Sequence, residues 1–307
     1  MTTALVTHAD CLAHLTPDGH PEQVARLQAV LAALAPLDLL RIAAPFAAEV
    51  DLRRVHTAAY LQRLRDAMPD HGQRALDPDT WMSPGSLAAA MRAAGAVVRA
   101  VDLVMAGQAT NAFCAIRPPG HHAEQETAMG FCLLGNVAIG AKHALDHHGL
   151  ARVAIVDFDV HHGNGTQALV QDDPRILFIC SHQMPLWPGT GDPADDGPHG
   201  TVLNIALPPG TDGAAIRRIY EAQVVPRLTA FAPAMILISA GFDAHQADPL
   251  ANLALTAADF GWLTRRICTC AATACAGRVV SALEGGYDLT ALADSVLAHV
   301  TELQRHG

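Results

Sequence analysis

From Val153 to Gly165 the chain reads VAIVDFDVHHGNG, an order that few backbones accommodate. The unbroken apolar run Val153 to Val156 fits a strand of a parallel sheet buried on both faces, where no polar side is needed. It gives way at once to Asp157, Asp159 and His161 at every second position, with His162, Gly163, Asn164 and Gly165 around and after them. Side chains of an extended chain repeat every two residues, so the two carboxylates and the imidazole are expected on one side. Such residues at a strand end could form a solvated loop or an ion pair. Burying two neighbouring carboxylates without a cation is costly, however, which favours a metal. One carboxylate and one imidazole from this row, with a third protein ligand from elsewhere, would leave a zinc-type ion a position open for water.

The remainder of the chain repeats the transition from apolar strand to polar loop. Strand patterns at 3–7, 111–116, 176–180, 202–207, 235–240 and 278–283 alternate with helical patterns at 24–34, 57–67, 87–105, 137–147 and 212–231, then from Thr256 onward and in a closing helix to about Gln304. This alternation predicts an α/β fold, a single open and mostly parallel sheet flanked by helices. With no repeat, low-complexity tail or linker visible, one domain is expected over residues 1–307. Polar clusters follow the strand ends at Ile116, Val156, Cys180, Ala240 and Leu283. In open parallel sheets ligands bind beyond the C-terminal strand ends, so an active site is expected there.

Composition narrows the class. Half of the residues are apolar and 16% are charged, which is globular rather than disordered, and the apolar runs are too short to span a bilayer. The N-terminus shows no basic segment followed by a long apolar one, so a cytoplasmic protein is expected. A net charge of −10 argues against binding nucleic acid and suits a cationic substrate. The seven cysteines include no CxxC pair and are read as small core residues, whereas 17 histidines point to metal or acid–base chemistry.

Asp243, in the loop GFDAHQADPL after the 235–240 strand, is the natural third ligand, giving a set of Asp159, His161 and Asp243. Hydrolysis then requires a base, an acid and an oxyanion donor. His121 and His122, presented by the RPPGHH turn, can supply the first two, with Asp157 and Asn164 as their hydrogen-bond partners. Tyr287, behind two glycines in EGGYD, can supply the third. The loop from Cys11 to Glu22 could rim the site or be a plain helix entry in which Pro21 occupies the start and Glu22 favours the dipole.

RPPGHH, GFCLLGN, VDFDVHHGNGT, PGTG, SAGFDAHQADPL and LEGGYDL, in this order, resemble the histone deacetylase superfamily of zinc-dependent amidohydrolases, with HHGNGT and EGGY closest to its class II branch and to bacterial deacetylase-like amidohydrolases. The likeness runs from HPE at 20–22 through Tyr287. It implies an arginase/deacetylase-like fold, one Zn²⁺ on Asp159, His161 and Asp243, the tandem His121 and His122 partnered by Asp157 and Asn164, and Tyr287 polarising a carbonyl. It further implies a monovalent cation, usually K⁺, near Asp157, Asp159, His161 and Ser181, and an acyl-lysine tunnel lined by Gly130, Phe131, Trp187 and Leu250. Arg26 falls where relatives have an arginine in a channel for the released acid, and Asp79 is a candidate for their rim aspartate. Asn164, in place of an aspartate, should make His122 harder to keep as imidazolium. Leu250 stands where acetylpolyamine-selective relatives place a glutamate, and Trp187 replaces the usual Phe or Tyr. The expected substrate is therefore an acylated lysine of a protein or peptide, the alternative being a small acetylated amine such as an acetylpolyamine. An arginase-like enzyme would need a second metal cluster beside the first, and a silent acyl-lysine binder would not need both histidines and Tyr287. Homo-oligomerisation stays open.

Overall fold

The computed structural model describes residues 2–307. Its strands in chain order are β1 (Thr3–Thr7), β2 (Leu40–Ala43), β3 (Arg74–Ala75), β4 (Trp81–Met82), β5 (Asn111–Cys114), β6 (Val153–Asp157), β7 (Ile176–Gln183), β8 (Val202–Leu207), β9 (Met235–Ala240) and β10 (Val279–Leu283). The helices are α1 (Val24–Leu34), α2 (Glu49–Leu52), α3 (Ala58–Ala67), α4 (Ser86–Met105), α5 (Asn136–Asp146), α6 (Asn164–Val170), α7 (Gly213–Ile219), α8 (Val225–Phe231), α9 (Ala257–Cys275) and α10 (Leu289–Arg305). Eight strands form one sheet in the order β2-β1-β5-β10-β9-β6-β7-β8, every neighbouring pair parallel. The expected open parallel sheet is present.

Strands β5, β6, β7, β9 and β10 are buried along their whole length, because helices cover both faces. Helix α10 packs between α1 and α9 in one layer, and α4 packs on α5 in the other. Gly140 of α5 permits that second contact, since a Cβ there would run into Val97 of α4. Thr256 and Asp259 close a capping box at the start of α9.

Register places the site. Asp157 lies opposite Ser239 of β9 and Cys180 of β7, and Ala240 lies opposite Leu283 of β10. Strands β6, β9 and β10 therefore release their polar loops at one level of the sheet, while β7 runs on beside them.

Several local expectations need correction. Edge strand β2, the β3–β4 hairpin and short helices α2 and α6 have too few residues for a readable period. Strand β6 ends at Asp157, so Asp159 and His161 sit in the following loop and not on a strand face. Strand β7 continues to Gln183, which puts Ser181 on the strand. The helix expected over 212–231 is interrupted by a π turn at Tyr220–Val224, where Val225 N–H bonds to Tyr220 O. Pro226 next to it has no N–H to continue the ordinary ladder.

Candidate active site

Backbone N–H groups hold the acidic cluster at the end of β6. Asp157 Oδ1 accepts from Asp159 N at 3.1 Å, Asp159 Oδ1 from His161 N at 2.9 Å, and Asp243 Oδ1 from Val160 N at 2.9 Å. Asp159 Oδ2 accepts from Gly285 N at 2.8 Å. Glycine is required here for space: a Cβ on Gly285 would meet the carboxylates of both Asp243 and Asp159, and one on Gly241 would meet Asp159.

Asp159, His161 and Asp243 come together with ligand atoms all within 4.8 Å of one another. His161 Nδ1 lies 3.1 Å from Asp159 Oδ1 and 3.2 Å from Asp243 Oδ2. Burial and the neighbouring Asp159 charge push the Asp243 carboxyl up to about 7. Burial would also raise Asp159, but His121 and His161 hold it low. His161 is pushed up to about 10, its burial outweighed by hydrogen bonds to Asp159 and Asp243. The protein alone thus leaves this buried set short of positive charge, when each uncompensated buried ion costs several kcal/mol. Two carboxylates and an imidazole fit a divalent ion that takes oxygen and nitrogen ligands.

The tandem histidines stand beside this set. His121 Nδ1 is 3.1 Å from Asp157 Oδ2, and His122 Nδ1 is 2.8 Å from Asn164 Oδ1. The Asn164 amide donates its Nδ2 to Glu124 Oε1 at 3.0 Å, which turns Oδ1 toward His122 and makes His122 Nδ1 the protonated nitrogen. Burial lowers the His121 pKa, but the charges of Asp159 and Asp157 override it and raise it well above the ordinary value. His122 is driven well below the ordinary value by burial and by the neighbouring His121 and His161.

A cavity of about 230 Å³ opens over these groups, lined by Asp79, His122, Gly130, Phe131, His161, Leu186, Trp187, Leu250 and Tyr287. Gly130 and Phe131 both have positive φ, 56° and 68°. A Cβ at Gly130 would strike His122 and Trp187, so this glycine lets the cavity wall close against the histidine. Trp187 packs edge-on to His122 at 4.6 Å while staying 42% exposed. Burial raises the phenol of Tyr287 well above its usual value, against the pull of Arg26, so it stays a donor at neutral pH. Arg26 lies behind that ring, 4.8 Å from its centroid, and donates to Gly286 O and Glu284 O at 2.6 Å each. Ser181 lies one residue beyond the strand pairing of Asp157 with Cys180, its Oγ 3.0 Å from Tyr220 Oη. Asp79 Oδ1 accepts from Gly130 N at 3.2 Å.

Three positioning groups went unread in the sequence. Glu284, first residue of EGGYD, accepts from Gly120 N at 2.7 Å and His121 N at 3.1 Å, fixing the turn that carries the histidines. Asp248 accepts from Leu250 N at 3.0 Å and Tyr287 N at 2.7 Å, joining two cavity walls. Glu22 is not a dipole residue: α1 starts after it, and its carboxylate is buried against Arg117, Arg26 and His14. His162, adjacent to the ligand row, turns away to Thr190 and Gln167.

Comparison with known proteins agrees with this geometry. The family model described as Histone deacetylase domain matches residues 20–303. A protein of Archaeoglobus fulgidus named Probable deacetylase is 40% identical over 298 residues, covering 94% of this chain and 82% of its own. The Histone deacetylase-like amidohydrolase of Pseudomonas aeruginosa is 39% identical over 293 residues, covering 93% of this chain and 77% of its own. The solved HDA15 HD domain superposes with a TM-score of 0.92 at 32% identity, covering 99% of this chain and 90% of that one.

Proposed function

Because the chain belongs to the histone deacetylase family of deacetylases and amidohydrolases, we propose that it is a Zn²⁺-dependent enzyme removing acetyl or other short acyl groups from lysine side chains of proteins or peptides. The observation that carries this reading is the Asp159, His161 and Asp243 set at a narrow cavity walled by His122, Tyr287, Phe131, Trp187 and Leu250. A volume near 230 Å³ is below that of most drug-sized pockets and suits one slender, largely apolar side chain.

Held by these three ligands, Zn²⁺ would lower the pKa of water and polarise a carbonyl oxygen. His122 lines the cavity and carries its proton on Nδ1, so Nε2 is the base that takes a proton from the attacking water. As the C–N bond breaks, the same nitrogen returns a proton to the leaving lysine amine, and the acyl group departs as the carboxylic acid. His121, protonated and tied to Asp157, holds positive charge beside the developing oxyanion, and Tyr287 donates its hydroxyl hydrogen to that oxygen. Gly130, Phe131, Trp187 and Leu250 guide the acyl-lysine stem, and Arg26 behind Tyr287 draws off the acid. K⁺ near Asp157, Asp159, His161 and Ser181 belongs to the same reading, as does a single cytoplasmic catalytic domain over residues 1–307. No helix is long and apolar enough to cross a membrane among the described residues.

The test is a panel of acyl-lysine peptides and acetylated amines, assayed after chelation and with Zn²⁺ restored. Turnover of acetyl-lysine peptides only with metal supports the reading. A preference of several tens-fold for acetylspermidine or acetylputrescine would overturn it in favour of the small-amine alternative.

A further inference from the structure

The C-terminal turns of α4 and α5 bring together a second group of ligand-type side chains. Asp102, His143, His147 and His148 offer atoms all within 4.8 Å of one another. We propose that they form a second divalent-metal site, of Zn²⁺ type, that pins α4 to α5. It is separate from the catalytic set. Helix α5 starts at Asn136, whose amide reaches Pro118 O under the histidine turn, and rises about 10 Å at 1.5 Å per residue before His143, the first cluster residue on it, is reached.

The convergence is specific. His143 Nε2 and His148 Nε2 both lie 2.8 Å from the same oxygen, Asp102 Oδ1. Ligand atoms on a tetrahedral zinc ion stand roughly 3.3 Å apart, so an ion enters this triangle with shifts of about half an ångström. His147, one turn after His143, stacks on it at 4.7 Å and meets His148 edge-on at 4.8 Å. It completes a three-imidazole, one-carboxylate set with no position left for water, which makes the site structural rather than catalytic.

His143 carries the decisive detail. Its other nitrogen, Nδ1, is 2.9 Å from Asp51 Oδ1, and Asp51 is itself held by Arg54 Nε at 3.1 Å. A carboxylate on the far nitrogen is the usual arrangement behind a metal-bound histidine, because it fixes the tautomer that leaves Nε2 unprotonated. His143 thus meets a carboxylate at each ring nitrogen, and the one at Nε2, Asp102, is the one that also faces His148. All four ligands belong to two packed helices or the residues capping one of them, a rigid support for a metal site.

Metal stoichiometry tests this. Chelated protein is titrated with Zn²⁺ and bound ions are counted by native mass spectrometry. Two equivalents are expected for the natural chain. The double variant His147→Ala, His148→Ala should keep one equivalent and unchanged kcat/KM. Asp51→Asn should weaken only the second equivalent, about 10- to 100-fold. Asp243→Asn, which removes the catalytic ion, should retain one equivalent that disappears when His148→Ala is added, so failure at either site is seen separately. Retention of no ion by Asp243→Asn at micromolar Zn²⁺, or undiminished binding of two by the double histidine variant, would overturn the proposal. The natural chain and Asp243→Asn decide the matter even where another variant fails to fold.

Discussion

Glu22 Oε2 lies 2.7 Å from Arg117 Nη2, and neither side chain has any exposure. The pair ties the N-terminal loop to the residue that precedes the Pro118 to His122 turn. Burial alone would raise the Glu22 carboxyl, but the Arg117 guanidinium and His14 outweigh it and hold it well below the usual range. Removing one partner strands a buried charge, so Arg117→Ala should lose about 3–5 kcal/mol in urea denaturation. The folded-state value lies below the unfolded one. The contribution is therefore complete above about pH 4.5 and drains away as pH falls through the depressed value. Glu22→Gln should flatten that part of the stability profile, and an unchanged acid limb would show that other carboxylates govern it.

Tyr287→Phe keeps the ring that packs against Phe131 at 5.8 Å and removes only the hydroxyl. Loss of one oxyanion donor costs about 10²- to 10³-fold in kcat. Because the donor acts on charge that appears after substrate binds, KM should stay within about twofold. Steady-state kinetics on an acetyl-lysine peptide measure both, and a kcat within tenfold of the natural enzyme would assign the oxyanion to another group.

The parallel sheet and its loop edge were legible because β6, β7 and β9 open with the apolar runs VAIV, ILFIC and MILI and end abruptly in polar motifs. The candidate metal set was legible because Asp159, His161 and Asp243 stand in two such loops, and the structure brings them together. Their supports were not. Glu284 and Asp248 act on backbone N–H groups of residues distant in sequence, which no local period encodes, and Glu22 looked like a helix-entry residue until Arg117 was placed against it. The spacing of His143 and His147 is visible in KHALDHH, yet Asp102 is 41 residues away from His143 and only helix packing joins them.

Chelation should both abolish activity and lower thermal stability, since Asp159, His161 and Asp243 lose the cation that offsets their burial. A ligand at about 100 times its Kd stabilises by about 2.7 kcal/mol, a shift readable by calorimetry on restoring Zn²⁺. Gly285→Ala tests the same site sterically, because its methyl group would press on both metal-facing carboxylates. It should come out of purification with less zinc per chain and lower activity, while its far-ultraviolet circular dichroism stays unchanged. Full zinc content in that variant would mean the loop shifts without disturbing the ligands.

Leu250 is the position at which substrate class can be moved. Its backbone N–H is held by Asp248, which also holds Tyr287, so a new side chain there keeps a fixed relation to the reacting carbonyl. An apolar side chain offers nothing to a second ammonium group, and a carboxylate would attract one by about 1 kcal/mol in water and more where solvent is partly excluded. Leu250→Glu should therefore raise kcat/KM for acetylspermidine relative to an acetyl-lysine peptide by about tenfold, the equivalent of 1.4 kcal/mol. The gain should shrink in high salt, because an exposed charge pair is screened. A ratio that stays flat, or that rises equally at all ionic strengths, would place the discriminating contact somewhere other than Leu250.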